Sequence, residues 1–152
     1  MTKSTIVCPT KGSIGSKAAE DKAIELAKAN NSKLVFAYII DIKFFEKGFS
    51  SQATGRDVEA GLKNIGSVIL DIVKEKAVEK GLPDADVFTE ERKGEVIPNI
   101  RDIVEEYNAN LVIVGHPDSD TGFLERHLVE KEGIGNFVRH LKDAIGCEVI
   151  MV

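Results

Sequence analysis

Three histidines, two cysteines and a few serines set in glycine-rich stretches are the residues whose types could do chemistry in this 152-residue chain. His116, His127 and His140 have no further Cys or His at the spacing a metal would need. His127 and His140 fall in polar stretches and read as surface residues, whereas His116 directly follows Gly115 at the end of an apolar run. There it could donate to an anion or only cap a strand. Cys8 and Cys147 lie far apart in sequence and read as small buried residues. Ser13 and Ser16 occupy a glycine-rich turn, but no Gly-x-Ser-x-Gly elbow and no base with an orienting partner accompanies them. No catalytic residue is therefore assigned. What stands out instead is Leu111-Val112-Ile113-Val114-Gly115, where a buried strand breaks at a glycine, and ligands in open α/β sheets bind at that end of a strand.

The elements that would position such a site alternate along the chain. Thr5–Pro9 is an apolar run, and 10–16 supplies turn residues and capping hydroxyls. Ala19, Ala23, Leu26 and Ala27 then recur at helical spacing up to Asn30, a narrow stripe of small residues suited to close packing on a sheet. Leu34–Ile40 is a second buried strand. Residues 43–57 match neither period and are expected to be a connection, with Phe44, Phe45 and Phe49 either covering a ligand or plugging the end of the sheet. Val58 to Lys80 is helical, with Gly61 and Gly66 costing about 1 kcal/mol each unless close contact compensates. Ala85–Thr89 alternates like an edge strand; Gly94-Glu95-Val96-Ile97-Pro98 opens a helix that runs to Tyr107, with Pro98 in its first turn; Ile134–Leu141 is a last helix, and Cys147–Val152 a last strand. Strands alternating with helices predict an α/β fold, a single domain over 1–152 with a doubly wound parallel sheet and helices on both faces.

Composition excludes several classes. Hydrophobic residues are 43% and charged residues 30%, a globular balance, and the formal net charge of −5 argues against a nucleic-acid surface. No window approaches the ~18 apolar residues of a membrane span, and the apolar run after Ser4 is too short for a signal sequence, so a cytoplasmic protein is expected.

Taken together, Ile6-Val7-Cys8-Pro9-Thr10-Lys11-Gly12-Ser13, Gly94-Glu95, Asn110 to His116, and Gly135-Asn136 before Cys147–Val152 resemble the universal stress protein family, over the whole chain. The resemblance implies a Rossmann-like, adenine nucleotide alpha hydrolase-like sheet of five strands in the order 3-2-1-4-5, with the first and fourth strands meeting where the winding reverses. It also implies an adenine-nucleotide site. Pro9, Thr10, Lys11 and Ile39 would surround base and ribose, while Gly115, His116, Gly122, Gly133, Gly135 and Asn136 would line the phosphates. Glycines there would let backbone N–H groups approach phosphate oxygens at a helix N-terminus. A response-regulator receiver shares the winding but needs an acidic pair after the first strand and a phosphoacceptor Asp after the third, which Lys11 and Thr89-Glu90 do not supply.

Three departures bear on ATP. Lys11 stands where the family has an acidic residue. Gly115 and Gly135 are twenty residues apart where the family pattern needs thirteen, which puts Gly122 and Gly133 out of register, and Asn136 replaces a Ser or Thr. Between Gly115 and Gly135, Asp118, Asp120, Glu125, Glu130 and Glu132 face only Arg126 and Lys131, five carboxylates against two cations and a net of −3. Such charge opposes a triphosphate unless Lys11 reaches it or Asp118 or Asp120 holds a bridging Mg²⁺; otherwise this is a solvated acidic loop. The reading adopted is a dimeric stress-response protein without tight ATP binding that acts through protein interaction. Its alternative is an ATP or other adenine-nucleotide binding module, at most a slow ATPase. A homodimer is expected through the strand at 148–152, whose apolar residues Val149 to Val152 would otherwise leave an open edge, and neither nucleic acid nor membrane is expected as a partner.

Overall fold

A computed structural model describes residues 3–11, 14–40, 52–115 and 134–152. In chain order the elements are β1 (Thr5–Pro9), α1 (Ile14–Asn30), β2 (Lys33–Ile40), α2 (Gln52–Glu79), β3 (Val87–Lys93), α3 (Val96–Tyr107), β4 (Leu111–Val114), α4 (Ile134–Ile145) and β5 (Glu148–Met151). The strands form one sheet in the order β3-β2-β1-β4-β5, and every pairing is parallel. This is the expected winding, with β1 and β4 adjacent where the order reverses.

Strand alternation divides the core into two layers. Ile6, Cys8, Leu34, Phe36 and Ile113 turn to one face, where Ala19, Ala23 and Ala27 of α1 and Leu70, Val73 and Ala77 of α2 close over them. Val7, Val35, Ala37 and Val112 turn to the other, against Ile100, Ile103 and Val104 of α3 and Leu141 and Ile145 of α4. The three alanines of α1, all without exposure, let that helix sit close to the sheet.

Two elements differ from the sequence reading. Helix α2 begins at Gln52, so residues 52–57 belong to it rather than to the preceding connection. Gly66 packs against Tyr38, two residues before the end of β2, so the first turns of α2 run past the sheet. A helix segment that covers no strand needs no apolar stripe, and periodicity gives it no signal. Of the residues at helical spacing in the sequence, Ala77 is buried and Leu62 and Ile69 pack against the core, but Ile65 and Ile72 are 52% and 58% exposed, and Leu70 and Val73 are buried in their place.

Strand β3 starts at Val87, after a short 3-10 turn at Asp84–Asp86, and continues through Glu90, Glu91, Arg92 and Lys93. It is the sheet edge expected, but four charged residues lengthen it. Arg92 bonds Glu90 at 3.2 Å and Glu106 of α3 at 2.5 Å, and Tyr107 donates its O–H to Glu90 Oε1 at 2.7 Å. Those bonds give the charges partners inside the fold. After Lys93, Gly94 takes a φ of +126°, which favours glycine, and its N–H closes onto Ile40 O at 2.9 Å.

Candidate functional site

Pro9 shapes the site. Backbone groups in a parallel strand point alternately to its two neighbours. Thr5 O accepts from Asn110 N–H on the β4 side, and Thr10 N–H donates to Ala37 O on the β2 side, at 3.1 and 2.8 Å. Odd positions of β1 therefore face β4, and at Pro9 that neighbour meets a residue with no N–H to give. The β1–β2 ladder runs on to Pro9 and Ala37, whereas the β1–β4 ladder ends at Val7 and Val112. Meanwhile β4 stays paired with β5 as far as Val114 and Met151. The pairing of the two central strands thus stops short of their carboxyl ends, at the reversal point where open α/β sheets place a ligand crevice.

Parallel topology aims two helix starts at this gap, because α1 follows β1 and α4 follows the β4 loop. They lie on opposite faces of the sheet, and neither carries a carboxylate in its first turn. Both positive helix ends are thus left unopposed by their own side chains.

Hydrogen bonds on Thr10 and Lys11 hold the β1 turn. Besides the bond from Thr10 N–H to Ala37, the Thr10 hydroxyl donates to Glu20 Oε1 at 2.5 Å, and Lys11 N–H donates to Ser16 Oγ at 3.0 Å. Thr10 is 2% exposed, with its side chain in the α1 layer on Glu20. Lys11 is exposed, on a backbone fixed from below. Pro9 and Ile39 are both half-buried; Ile39 packs in the α3 layer, the face toward which strand alternation also turns Pro9. Gly115, half-buried, ends β4. Gly135 and Asn136 fall in the first turn of α4. His116, Gly122 and Gly133 lie outside the described residues, as do His127, Asp118, Asp120 and the phenylalanines of the 43–57 stretch.

Glu20 was not singled out by sequence, although the signal was there: it stands three, four and seven residues before Ala23, Ile24 and Ala27, on the buried stripe itself. It is 3% exposed, and burial, against the bond from Thr10 and the charge of Lys76, pushes its carboxyl above the usual range. Beside it Cys8 has no exposure, and burial, then the Glu20 carboxylate, raises the thiol far above its ordinary value, keeping it protonated and unreactive. Cys147 is half-buried and His140 exposed. Among the described residues no group of three metal-ligating side chains occurs, and no helix is long and apolar enough to cross a membrane. A groove of 470 Å³ lined by Asp21, Ile24, Glu25, Lys28 and Lys80 lies toward the opposite, amino-terminal end of the sheet and plays no part in the crevice.

A five-stranded, all-parallel, doubly wound sheet whose winding reverses between β1 and β4 defines an α/β domain of the Rossmann-like class. The chain belongs to the universal stress protein family, whose sequence profile matches residues 3–152. No individual curated protein matches it in sequence. Solved structures with the same fold include a universal stress protein family member from Burkholderia pseudomallei, 20% identical with a TM-score of 0.71, the match covering 98% of this chain and 95% of that one. A universal stress protein in complex with cAMP is 22% identical with a TM-score of 0.64, over 100% and 98% of the two chains. A family member from Arabidopsis thaliana with AMP bound is 15% identical with a TM-score of 0.62, over 98% and 90%.

Proposed function

We propose that this universal stress protein binds an adenine nucleotide with a single phosphate group, AMP or cAMP in preference to ATP, in the crevice between β1 and β4, and works as a homodimer joined through β5. The observation that carries the ligand reading is the early end of the β1–β4 ladder at Pro9, with the starts of α1 and α4 converging on the gap. The base would lie on the apolar surface of Pro9 and Ile39. The phosphate would meet Lys11 and the amides of the turn that contains Gly135 and Asn136. Fold relatives that hold cAMP and AMP support this choice. The five carboxylates against two cations between Gly115 and Gly135 weigh against three phosphates.

The dimer reading rests on β5. Val152 N–H donates to Val114 O at 2.9 Å, so by alternation Val149 and Met151 turn their backbone groups away from β4. Among the described residues the sheet ends there. Ile150 and Met151 are half-buried, and a two-fold pairing of this edge would satisfy the backbone and cover both side chains.

Isothermal titration calorimetry with cAMP, AMP and ATP tests the ligand. The expected result is saturable binding of the monophosphates and weaker binding of ATP without Mg²⁺. No heat from any of them at millimolar concentration would overturn the reading.

A further inference from the structure

Glu20 places a carboxylate where charge is costly, directly beneath the turn that borders the crevice. Its side chain is 4% exposed, and its nearest cation, Lys76 Nζ of α2, stands 3.9 Å from Oε2 but only 2.6 Å from the competing Asp21. Lys17 and Asp21 of α1 also act on it at longer range, and Cys8 faces it from β1 without charge. Among the described residues, the long ion pair with Lys76 and the bond from Thr10 are its polar contacts.

Resting on the reading that the crevice takes an adenine nucleotide, we propose that Glu20 positions the β1 turn and links binding of a phosphate-bearing ligand there to uptake of one proton by its own carboxylate. The positioning half follows from the bond to Thr10. A hydroxyl has one proton, and that of Thr10 goes to Glu20 Oε1 at 2.5 Å, so Thr10 donates nothing to a ligand, and Lys11, the next residue, is the one presented. The linkage half is electrostatic. An ionised Glu20 keeps a negative charge beneath the turn at which the phosphate would bind, in surroundings that screen it far less than water does. Protonation takes one H⁺ from solvent onto a carboxylate oxygen, breaks no other bond, and leaves an oxygen that still accepts from Thr10. The anion then binds more tightly. By reciprocity, the bound anion holds that proton by the same factor.

The probe is cAMP, whose phosphodiester does not titrate near neutrality, with uncharged adenosine as control. Calorimetry is run in pairs of buffers with different ionisation enthalpies, between about pH 5 and 8. The wild-type protein should take up a fraction of a proton with cAMP, peaking at about half per site, and its affinity should fall by up to about tenfold as Glu20 ionises, equivalent to one unit of linkage. Adenosine should show neither effect. Glu20→Gln should bind cAMP with no proton uptake and no pH dependence. Binding of cAMP by the wild type that is independent of pH, or proton uptake that persists in Glu20→Gln, would overturn this proposal and leave the ligand reading standing. Absence of binding by cAMP and adenosine at every pH would overturn both. In the free protein, the Thr10 amide resonance should titrate in the wild type and not in Glu20→Gln, and a silent amide in the wild type would refute the positioning role.

Discussion

Gly66 of α2 lies directly against the ring of Tyr38, so closely that a methyl group there would fall inside the contact distance of the ring carbons Cδ1 and Cε1. Tyr38 is 8% exposed beneath the helix, two residues from the end of β2, and has no space into which to withdraw. Gly66→Ala should therefore destabilise by about 1–3 kcal/mol through overpacking, despite a helix-propensity gain of about 1 kcal/mol. Gly61 is the internal control, because nothing lies within 4 Å of its added carbon. Gly61→Ala should stabilise by up to about 1 kcal/mol. Urea midpoints that move the same way for both variants would refute this account of the two glycines.

Stability should also carry the mark of Glu20. Burial, opposed by Thr10 and Lys76, holds its folded carboxyl above the ordinary range. The folded chain therefore keeps a proton that the unfolded chain has lost, so stability falls as pH rises through the interval that opens near pH ~4.3 and ends at the raised folded value. The contribution is full below that interval and gone above it. Asp21 has the opposite sign, since its bond to Lys76 holds its carboxyl low, and its contribution is lost as pH falls. Subtracting the Glu20→Gln profile cancels Asp21, and the difference in urea midpoint should favour the variant increasingly toward neutral pH. A flat difference would contradict the assigned burial.

Lys11 is exposed on a backbone fixed by Ser16 and precedes the start of α1. As the cation presented to a phosphate, it should contribute several-fold to nucleotide affinity, in keeping with an exposed charge pair of about 1 kcal/mol or less. Lys11→Ala should weaken cAMP binding by that factor and leave adenosine unchanged. Calorimetry that finds cAMP binding unaltered would remove Lys11 from the site.

For assembly, Ile150→Lys puts a charge at the centre of the open edge of β5, where the wild-type side chain is half-buried. Light scattering should give twice the chain mass for the wild type and the chain mass for the variant. A wild type that is monomeric at micromolar concentration would end the dimer proposal, whatever the behaviour of Ile150→Lys.

The sequence by itself determined the strands and a parallel sheet covered on both faces, while the strand order was what the family resemblance implied. Thr5–Pro9, Leu34–Ile40 and Leu111–Val114 are apolar runs that can only be buried on both faces, and the helical stripes between them demand a sheet covered on two sides. Such features are local and periodic, so they can be read along the chain. Tertiary structure decided everything that depends on a second element. The alternation read from sequence ends at Thr89, and β3 continues to Lys93 where Glu106 and Tyr107 of α3 supply partners to Arg92 and Glu90. Ile65 and Ile72 share the helical spacing of Ala77 but are exposed, and Leu70 and Val73 join Ala77 in facing the sheet. Glu20 lies on a stripe of alanines with nothing in the chain nearby to explain a carboxylate there. Only when β1 turns Thr10 into the same layer does the buried charge find its hydrogen bond and become part of the site, because burial and pairing belong to contacts between elements and not to the pattern within one.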